Sequence, residues 1–432
     1  MKRKDSPKST NITPQNTKGA LRNDYRPGND DSALFNQKHK THHKGSAFDK
    51  KHIAFLVTGI VGLAGGIGCL VAGATVSPEA GAELAFPKIP SSTQDNITYS
   101  ALTGEPLVDP ALKTAPTYCM QTPNGTDGAR PQSGLTEAGV VFEAIAEAGI
   151  TRFAAIYQNP SSSIIGPIRS LRIYFLDWDV PFDCTIVHAG GADDAIEAVA
   201  AGGYKDLTED YTYMYRGTYG SRLWNNLFTT SAYLRQFSED HGYSASDIKG
   251  FARMTPEQAN KSRIDALAVE KLNITKPTSA NTSEMTGGVN DIALNYGSSA
   301  SFNVRYTYNA ETNTYFRSYE SGLAHEVYTC DAADLGEKNP EDVCTLTQVN
   351  PSVVVAMIVQ ESRASDGYHE DITAIGSGEA YVFQNGTATK GSWSKSSIDE
   401  QIKFFDDGGN EIALAPGQTF VSAVPDYGSV EY

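Results

Sequence analysis

The sequence predicts one transmembrane helix followed by two exterior domains, the first α+β (or α/β) and the second β-rich. Three observations predict it. Residues 53–76 (IAFLVTGIVGLAGGIGCLVAGATV) run without a charge. Residues 119–272 mix short strand and helix patterns. Residues 289–432 alternate apolar and polar side chains, with tight-turn signals between the runs. The resulting division is a basic head at 1–52, a helix at 53–76, a linker at 77–118, an exterior domain at 119–272, a second linker at 273–288 and a β-rich domain at 289–432.

The head holds twelve of the 35 Lys/Arg and five of the 51 Asp/Glu, a formal +7, which leaves −23 on residues 77–432. The positive-inside rule then keeps the head in the cytoplasm and sends the acidic bulk outside. Its Lys, Asn, Asp, Ser, Thr and His carry almost no apolar periodicity, so disorder is expected there. Its basic residues favour anionic lipid, at ~1 kcal/mol per Lys or Arg near the surface. No aromatic or motif pattern accompanies them, and nucleic acid is not an expected partner.

The 24 uncharged residues of 53–76 are longer than a signal h-region of ~7–15 residues and start late in the chain. As a helix they cover about 36 Å, enough for a hydrocarbon core of ~30 Å. Cys69 offers a competing lipidation reading, but the apolar residue expected three positions before it is absent. Gly62 and Gly66 form a GxxxG that would let two helices approach closely. Residues 77–118, rich in Pro, Thr, Ala and Gly, read as a stalk.

In the first exterior region, 140–147 (VVFEAIAE) and 150–157 (ITRFAAIY) flank Ala148-Gly149 and predict a hairpin, with a helix as competitor. Residues 170–179 read as a helix capped by Ser170, 184–188 (CTIVH) as a buried strand, and 193–201 and 231–241 as helices. Beyond the polar stretch 273–288, strands are expected at 302–308, 314–319, 353–359 (VVVAMIV), 381–383, 387–393 and 412–424. Asn385-Gly386 is a strong hairpin signal. Cys119, Cys184, Cys330 and Cys344 allow three pairings. Cys330–Cys344, closing DAADLGEKNPEDV, and Cys119–Cys184 are expected, against a reading of four reduced thiols. No C-x-x-C or clustered His suggests zinc.

Three strings are distinctive: 129–135 (ARPQSGL), 149–153 (GITRF) with Glu143, and 165–172 (IGPIRSLR). With 188–191 (HAGG), 226–229 (NLFT), 391–395 (GSWSK) and 411–419 (EIALAPGQT), they resemble the YerB-like family of bacterial extracytoplasmic proteins. Asn225 stands where the resemblance leads one to expect His. The resemblance covers about 115–430 and implies an exterior location and two domains of unknown function. It also implies lipid anchoring through an N-terminal cysteine, in place of which this chain is expected to use a helix and a basic head.

The densest polar cluster is Arg130, Glu143, Glu147, Arg152, Arg169 and Arg172. Guanidinium forks match carboxylate or phosphate bidentately, so four of them at one site would hold an anionic ligand. The bland alternative is internal neutralisation by Glu143 and Glu147. His188 ends a strand before Gly190-Gly191, with Asp193 and Asp194 just beyond. That is where α/β proteins often place ligands, and a His there would serve as general base; a core His donating to a carbonyl is the plainer reading. On one strand Glu143 and Glu147 would share a face ~13 Å apart, beyond the ~5–9 Å of a glycosidase pair; on a helix they would be close. Tyr174, Phe175 and Trp178 beside Arg172 would stack a sugar or fill the core. Neither G-x-S-x-G, H-E-x-x-H nor GxxxxGK[ST] occurs. His325, Glu326 and His369 lack ligand spacing.

The reading is a non-catalytic, single-pass extracytoplasmic protein of the cell membrane that binds an anionic envelope component or an envelope protein. Its expected ligand-binding residues are Arg130, Arg152, Arg169, Arg172, His188, Gly190 and Gly191. The alternative is a cell-envelope hydrolase acting on peptidoglycan or a related glycan or peptide, with His188, Glu143 and Arg169 catalytic. No cofactor or metal is expected.

Overall fold

The computed structural model describes residues 97–217, 225–271, 286–287, 289–331 and 338–432. The expected head and transmembrane helix, Cys69 included, lie outside them. Among the described residues no helix is long and apolar enough to cross a membrane. The expected linker 77–118 is described only from residue 97, where Leu102 packs into the core at 2% exposure. The expected linker 273–288 lies almost wholly outside the described residues.

The fold is mixed α/β, with large sheets and few helices. In the first region the strands are β1 (Thr117–Pro123), β2 (Val140–Glu147), β3 (Ile150–Gln158), β4 (Thr185–His188) and β5 (Lys205–Thr208). The main helices there are α1 (Ile173–Asp179), α2 (Asp193–Ala200), α3 (Ser231–His241) and α4 (Pro256–Lys271). β2 and β3 form the expected hairpin. Its Ala148-Gly149 turn has φ of 48° and 77°, which the glycine accepts without strain. α1 starts at Ile173 rather than at Ser170: Leu171 is engaged by the backbone of residues 190–192, and Arg172 takes the N-cap position.

The eleven-stranded main sheet runs through both regions. Its order is Lys403–Asp406, Thr387–Lys395, Gly376–Gln384, Val353–Val359, Thr419–Pro425, β2, β3, β1, β4 and β5, with Thr286–Gly287 paired to Thr387–Lys395. Thr419–Pro425 lies parallel to both β2 and Val353–Val359. That strand begins at Thr419 rather than near 412, because Pro416-Gly417 interrupts the run.

One face of the sheet packs on α1, where Phe142 stacks on Trp178 at 5.3 Å, a geometry worth ~0.5–1.5 kcal/mol beyond area burial. Tyr174, Phe175 and Trp178 are at most 1% exposed, so they are core and offer no sugar platform. The other face packs on α3 and on a four-stranded sheet of Asp291–Asn295, Val304–Asn309, Thr314–Tyr319 and Ser429–Glu431. Cys119–Cys184 and Cys330–Cys344 are both formed, with Cα–Cα distances of 5.7 and 4.5 Å.

Candidate functional site

The main sheet divides the expected cluster. Glu143 lies opposite Phe153 and Arg152 opposite Ala144, so Glu143 and Arg152 point to opposite faces. Past Ile145 the register slips: Ile145 faces Thr151, but Glu147 faces Ile150. This bulge turns Glu147 onto the Arg152 face. The expectation that Glu143 and Glu147 share a face along one strand is thereby corrected.

Glu143 is fully buried beneath the four-stranded sheet. Arg317 Nη2 donates to both carboxylate oxygens, at 2.9 and 2.8 Å. The hydroxyls of Thr151 and Tyr296 donate at 2.9 and 3.0 Å. Arg317 also donates to Tyr306 Oη at 3.2 Å and to His325 Nδ1. His325 then donates from Nε2 to Gln132 Oε1 at 3.0 Å. Burial, followed by the charges of Arg317 and Arg130, holds His325 well below its usual pKa, so it is neutral. Asn124 Oδ1 gathers Arg130 Nε, Gln132 Nε2 and Tyr319 Oη at 2.8–3.1 Å. The Arg130 guanidinium lies 3.8 Å from the Tyr319 ring centroid.

On the helix face Glu147 receives Arg152 Nη2 at 2.8 Å and Arg172 Nη2 at 2.6 Å. Burial alone would raise the Glu147 pKa, but the two guanidinium groups hold it below the usual value. Arg152, wholly buried and beside Arg172, falls to about 10. Its Nη1 donates to Ser170 O at 2.8 Å, and Arg172 Nη1 donates to Leu171 O at 3.0 Å. Arg169 makes no side-chain hydrogen bond or ion pair among the described residues, and its Nε is buried without a partner. Burial lowers its pKa against the opposing charges of Glu147 and Asp127.

His188 is 1% exposed. Its Nδ1 meets Gly190 O at 2.7 Å and its Nε2 meets Asp206 Oδ1 at 2.9 Å, so both ring nitrogens are engaged. It does not share a site with Glu143. Val187 pairs with Met120, and Thr122 pairs with Phe153 on the Glu143 face, so His188 points to the other face. Three strand spacings, ~14 Å, also separate β2 from β4.

The Gly190-Gly191 turn does meet the arginine segment. Ala189 N donates to Arg169 O at 3.0 Å, Leu171 N to Gly190 O at 2.9 Å and Ala192 N to Leu171 O at 3.1 Å. Beside this junction is a cleft of about 320 Å³, lined by Arg172, Gly191 and Asp193 from the first region and by Asp366, His369 and Asp371 from the second. The latter belong to a hairpin of Glu361–Arg363 and Glu370–Ile372, held at the β2–β3 tip by a bridge from Glu147 to His369.

Of the expected site residues, Arg172 and Gly191 line this cleft and Arg152 braces Arg172 through Glu147. Arg169 and Gly190 adjoin through the backbone, while His188 turns away to Asp206 and Arg130 lies with Glu143 across the sheet. Sequence reasoning missed Arg317 and the 361–372 hairpin. The first had a signal: the alternation of Thr314–Tyr319 puts Arg317 on the inward face with Tyr315 and Tyr319.

Two family models match this chain. "Protein of unknown function (DUF3048) N-terminal domain" covers residues 102–244, and "Protein of unknown function (DUF3048) C-terminal domain" covers 292–421. "Putative lipoprotein YerB" of Bacillus subtilis (strain 168) is 28% identical over 309 residues, 70% of this chain and 80% of that protein. A crystal structure of YerB from Bacillus subtilis has a TM-score of 0.59 at 22% identity, covering 78% of this chain and 100% of that one, and shares the fold. The chain belongs to the YerB-like DUF3048 family and carries its N-terminal and C-terminal domains in sequence order.

Proposed function

We propose that this chain is a membrane-anchored extracytoplasmic binding protein whose ligand, an envelope component or a segment of an envelope protein, docks in the cleft at Arg172 and Gly191. The lipoprotein designation of the Bacillus subtilis relative supports the membrane surface as its location. The uncharged run 53–76 supports a single-pass anchor with a cytoplasmic N-terminus.

One observation carries the choice of site. Arg172 lines the cleft, its side chain is 5% exposed, and its Nε has no partner among the described residues. Its Nη1 and Nη2 are fixed by Leu171 O and Glu147, so the guanidinium is braced in one position at the cleft wall. The backbone of Gly191–Asp194 offers further polar groups in the same cleft. The hydrolase alternative has no comparable support, since Glu143 and His188 lie on opposite faces and both are internally engaged.

The test uses the detergent-solubilised full chain, incubated with peptidoglycan fragments and solubilised envelope proteins. Retention without new fragments, weakened in Arg172→Lys, is the expected result. New fragments that disappear in His188→Ala would overturn the binding reading.

A further inference from the structure

We propose that Arg169 anchors a second site, separate from the cleft, that takes a phosphate group held by the Arg169 guanidinium and the Tyr368 hydroxyl. The phosphate is either the free anion or the phosphoryl end of a larger molecule. This site stands apart from the binding reading above, and its failure would leave that reading intact.

An imbalance of charge carries the argument. Arg152, Arg169 and Arg172 act on one another electrostatically on the helix face of the sheet. Among the described residues, Glu147 is the one carboxylate paired with any of them. Arg152 and Arg172 each give it one Nη and donate the other to a backbone carbonyl, Ser170 O or Leu171 O, so each has both Nη groups engaged. Arg169 has neither kind of partner among the described residues. Only its Nε is buried, which leaves both Nη groups unpartnered and reachable on a half-buried residue. The side chains of Arg152 and Arg172, by contrast, are 3% and 5% exposed. Asp127, the other acidic group that acts on Arg169, already accepts Asn225 Nδ2 at 3.1 Å through Oδ1.

The surroundings suit an oxyanion. The Arg169 backbone is fixed at both ends, its N donating to Gln121 O at 2.7 Å and its O accepting from Ala189 N at 3.0 Å, so the side chain is offered from a rigid base. Tyr368, in the turn of the 361–372 hairpin, acts on the Arg169 charge, is 59% exposed, and has no hydroxyl partner among the described residues. A guanidinium with two open Nη groups matches two phosphate oxygens, and a phenol hydroxyl donates to a third. There is room beside the arginine segment, since a Cβ on Gly190, whose O accepts from Leu171 N, would meet no atom within 4 Å. Three guanidinium charges against one carboxylate leave two in excess. A phosphate dianion answers both, whereas a lone carboxylate answers one.

The experiment is calorimetric titration of the detergent-solubilised full chain, at fixed ionic strength, with inorganic phosphate, glycerol 3-phosphate, dimethyl phosphate and acetate. Inorganic phosphate or glycerol 3-phosphate should bind about tenfold tighter than the monoanions acetate and dimethyl phosphate. Binding of glycerol 3-phosphate alone assigns the site to a phosphoryl end group rather than to the free anion. Its affinity should rise from about pH 5 to about pH 7.5, as the second phosphate proton leaves near pH 6. Arg169→Gln should weaken binding about tenfold and Tyr368→Phe about threefold, with the Tm of the phosphate-free protein unchanged in both.

Affinity for acetate or dimethyl phosphate equal to that for the dianions overturns the inference. So does an unchanged affinity in Arg169→Gln, or the absence of binding by all four probes. Envelope fragments should still be retained by Arg169→Gln; their loss together with phosphate would make the two sites one and overturn their separation.

Discussion

Glu143 and Arg317 form a two-pronged ion pair across 174 residues of sequence, with neither side chain exposed to solvent. It fastens β2 of the first region to Thr314–Tyr319 of the second. Each partner also carries uncharged donors or acceptors, Thr151 and Tyr296 on Glu143, Tyr306 and His325 on Arg317. Removing either charge leaves the other buried and uncompensated.

Glu143→Gln or Arg317→Met alone should lower stability by about 3–5 kcal/mol. The paired change Glu143→Leu with Arg317→Met should cost less than the two single effects added together. Urea unfolding of the three variants checks this. Additive costs would mean that the pair contributes no coupling.

Arg169→Ala should behave in the opposite way. Its side chain makes no hydrogen bond or ion pair among the described residues, and burial already depresses its pKa. Stability should stay within about 0.5 kcal/mol of the parent, and retention of envelope fragments should be kept, because Arg169 adjoins the cleft only through its backbone. Thermal unfolding and pull-down, run on the same preparation, check both.

Glu361 gives the fold a pH response. Burial pushes its carboxyl from 4.5 up to about 7; the Tyr427 hydroxyl, donating at 2.8 Å, opposes the rise, and Glu370 and Asp426 add to it. The folded pKa lies above the unfolded one, so between these values the folded state binds more protons. This group therefore favours the folded state at low pH, and its contribution is lost as pH rises from about 4.5 to about 7. Glu361→Gln should flatten that slope and raise Tm at pH 8. An identical pH profile in the variant would remove Glu361 from the account.

The two disulfides differ in the loops they close. Cys330–Cys344 spans 14 residues and Cys119–Cys184 spans 65. Loop-closure entropy assigns them about 3 and about 4 kcal/mol. Replacing Cys119 and Cys184 by Ser should thus lower Tm more than replacing Cys330 and Cys344, as scanning calorimetry can measure.

Local elements were legible wherever sequence neighbours also pair. β2 and β3 showed as apolar runs about Ala148-Gly149, and Asn385-Gly386 marked the hairpin of Gly376–Gln384 with Thr387–Lys395, although only 381–383 of its first strand was expected. α2 and α3 matched their helical patterns within a residue. The start of α1 was not legible, because it depends on hydrogen bonds between Leu171 and residues 190–192, about twenty positions away. The bulge before Glu147 left no mark either, since Ala and Glu suit a regular strand as well as an irregular one, yet it decides which face the carboxylate takes. The cleft eluded the sequence for a similar reason. Arg172 and Gly191 were visible as candidates, but nothing near them announced the hairpin that brings Asp366 and Asp371 alongside.

The parallel pairing of Thr419–Pro425 with β2 on one side and Val353–Val359 on the other bears on how the protein is made and lost. In a chain synthesised from its N-terminus, β2 is made long before its neighbour, and its edge stays open until the final stretch follows. The same holds in reverse for damage. A protease clipping ahead of Thr419 would not simply shorten the molecule; it would bare two apolar strand edges at the middle of the sheet. Trimmed copies should therefore clump or be cleared rather than persist as working fragments.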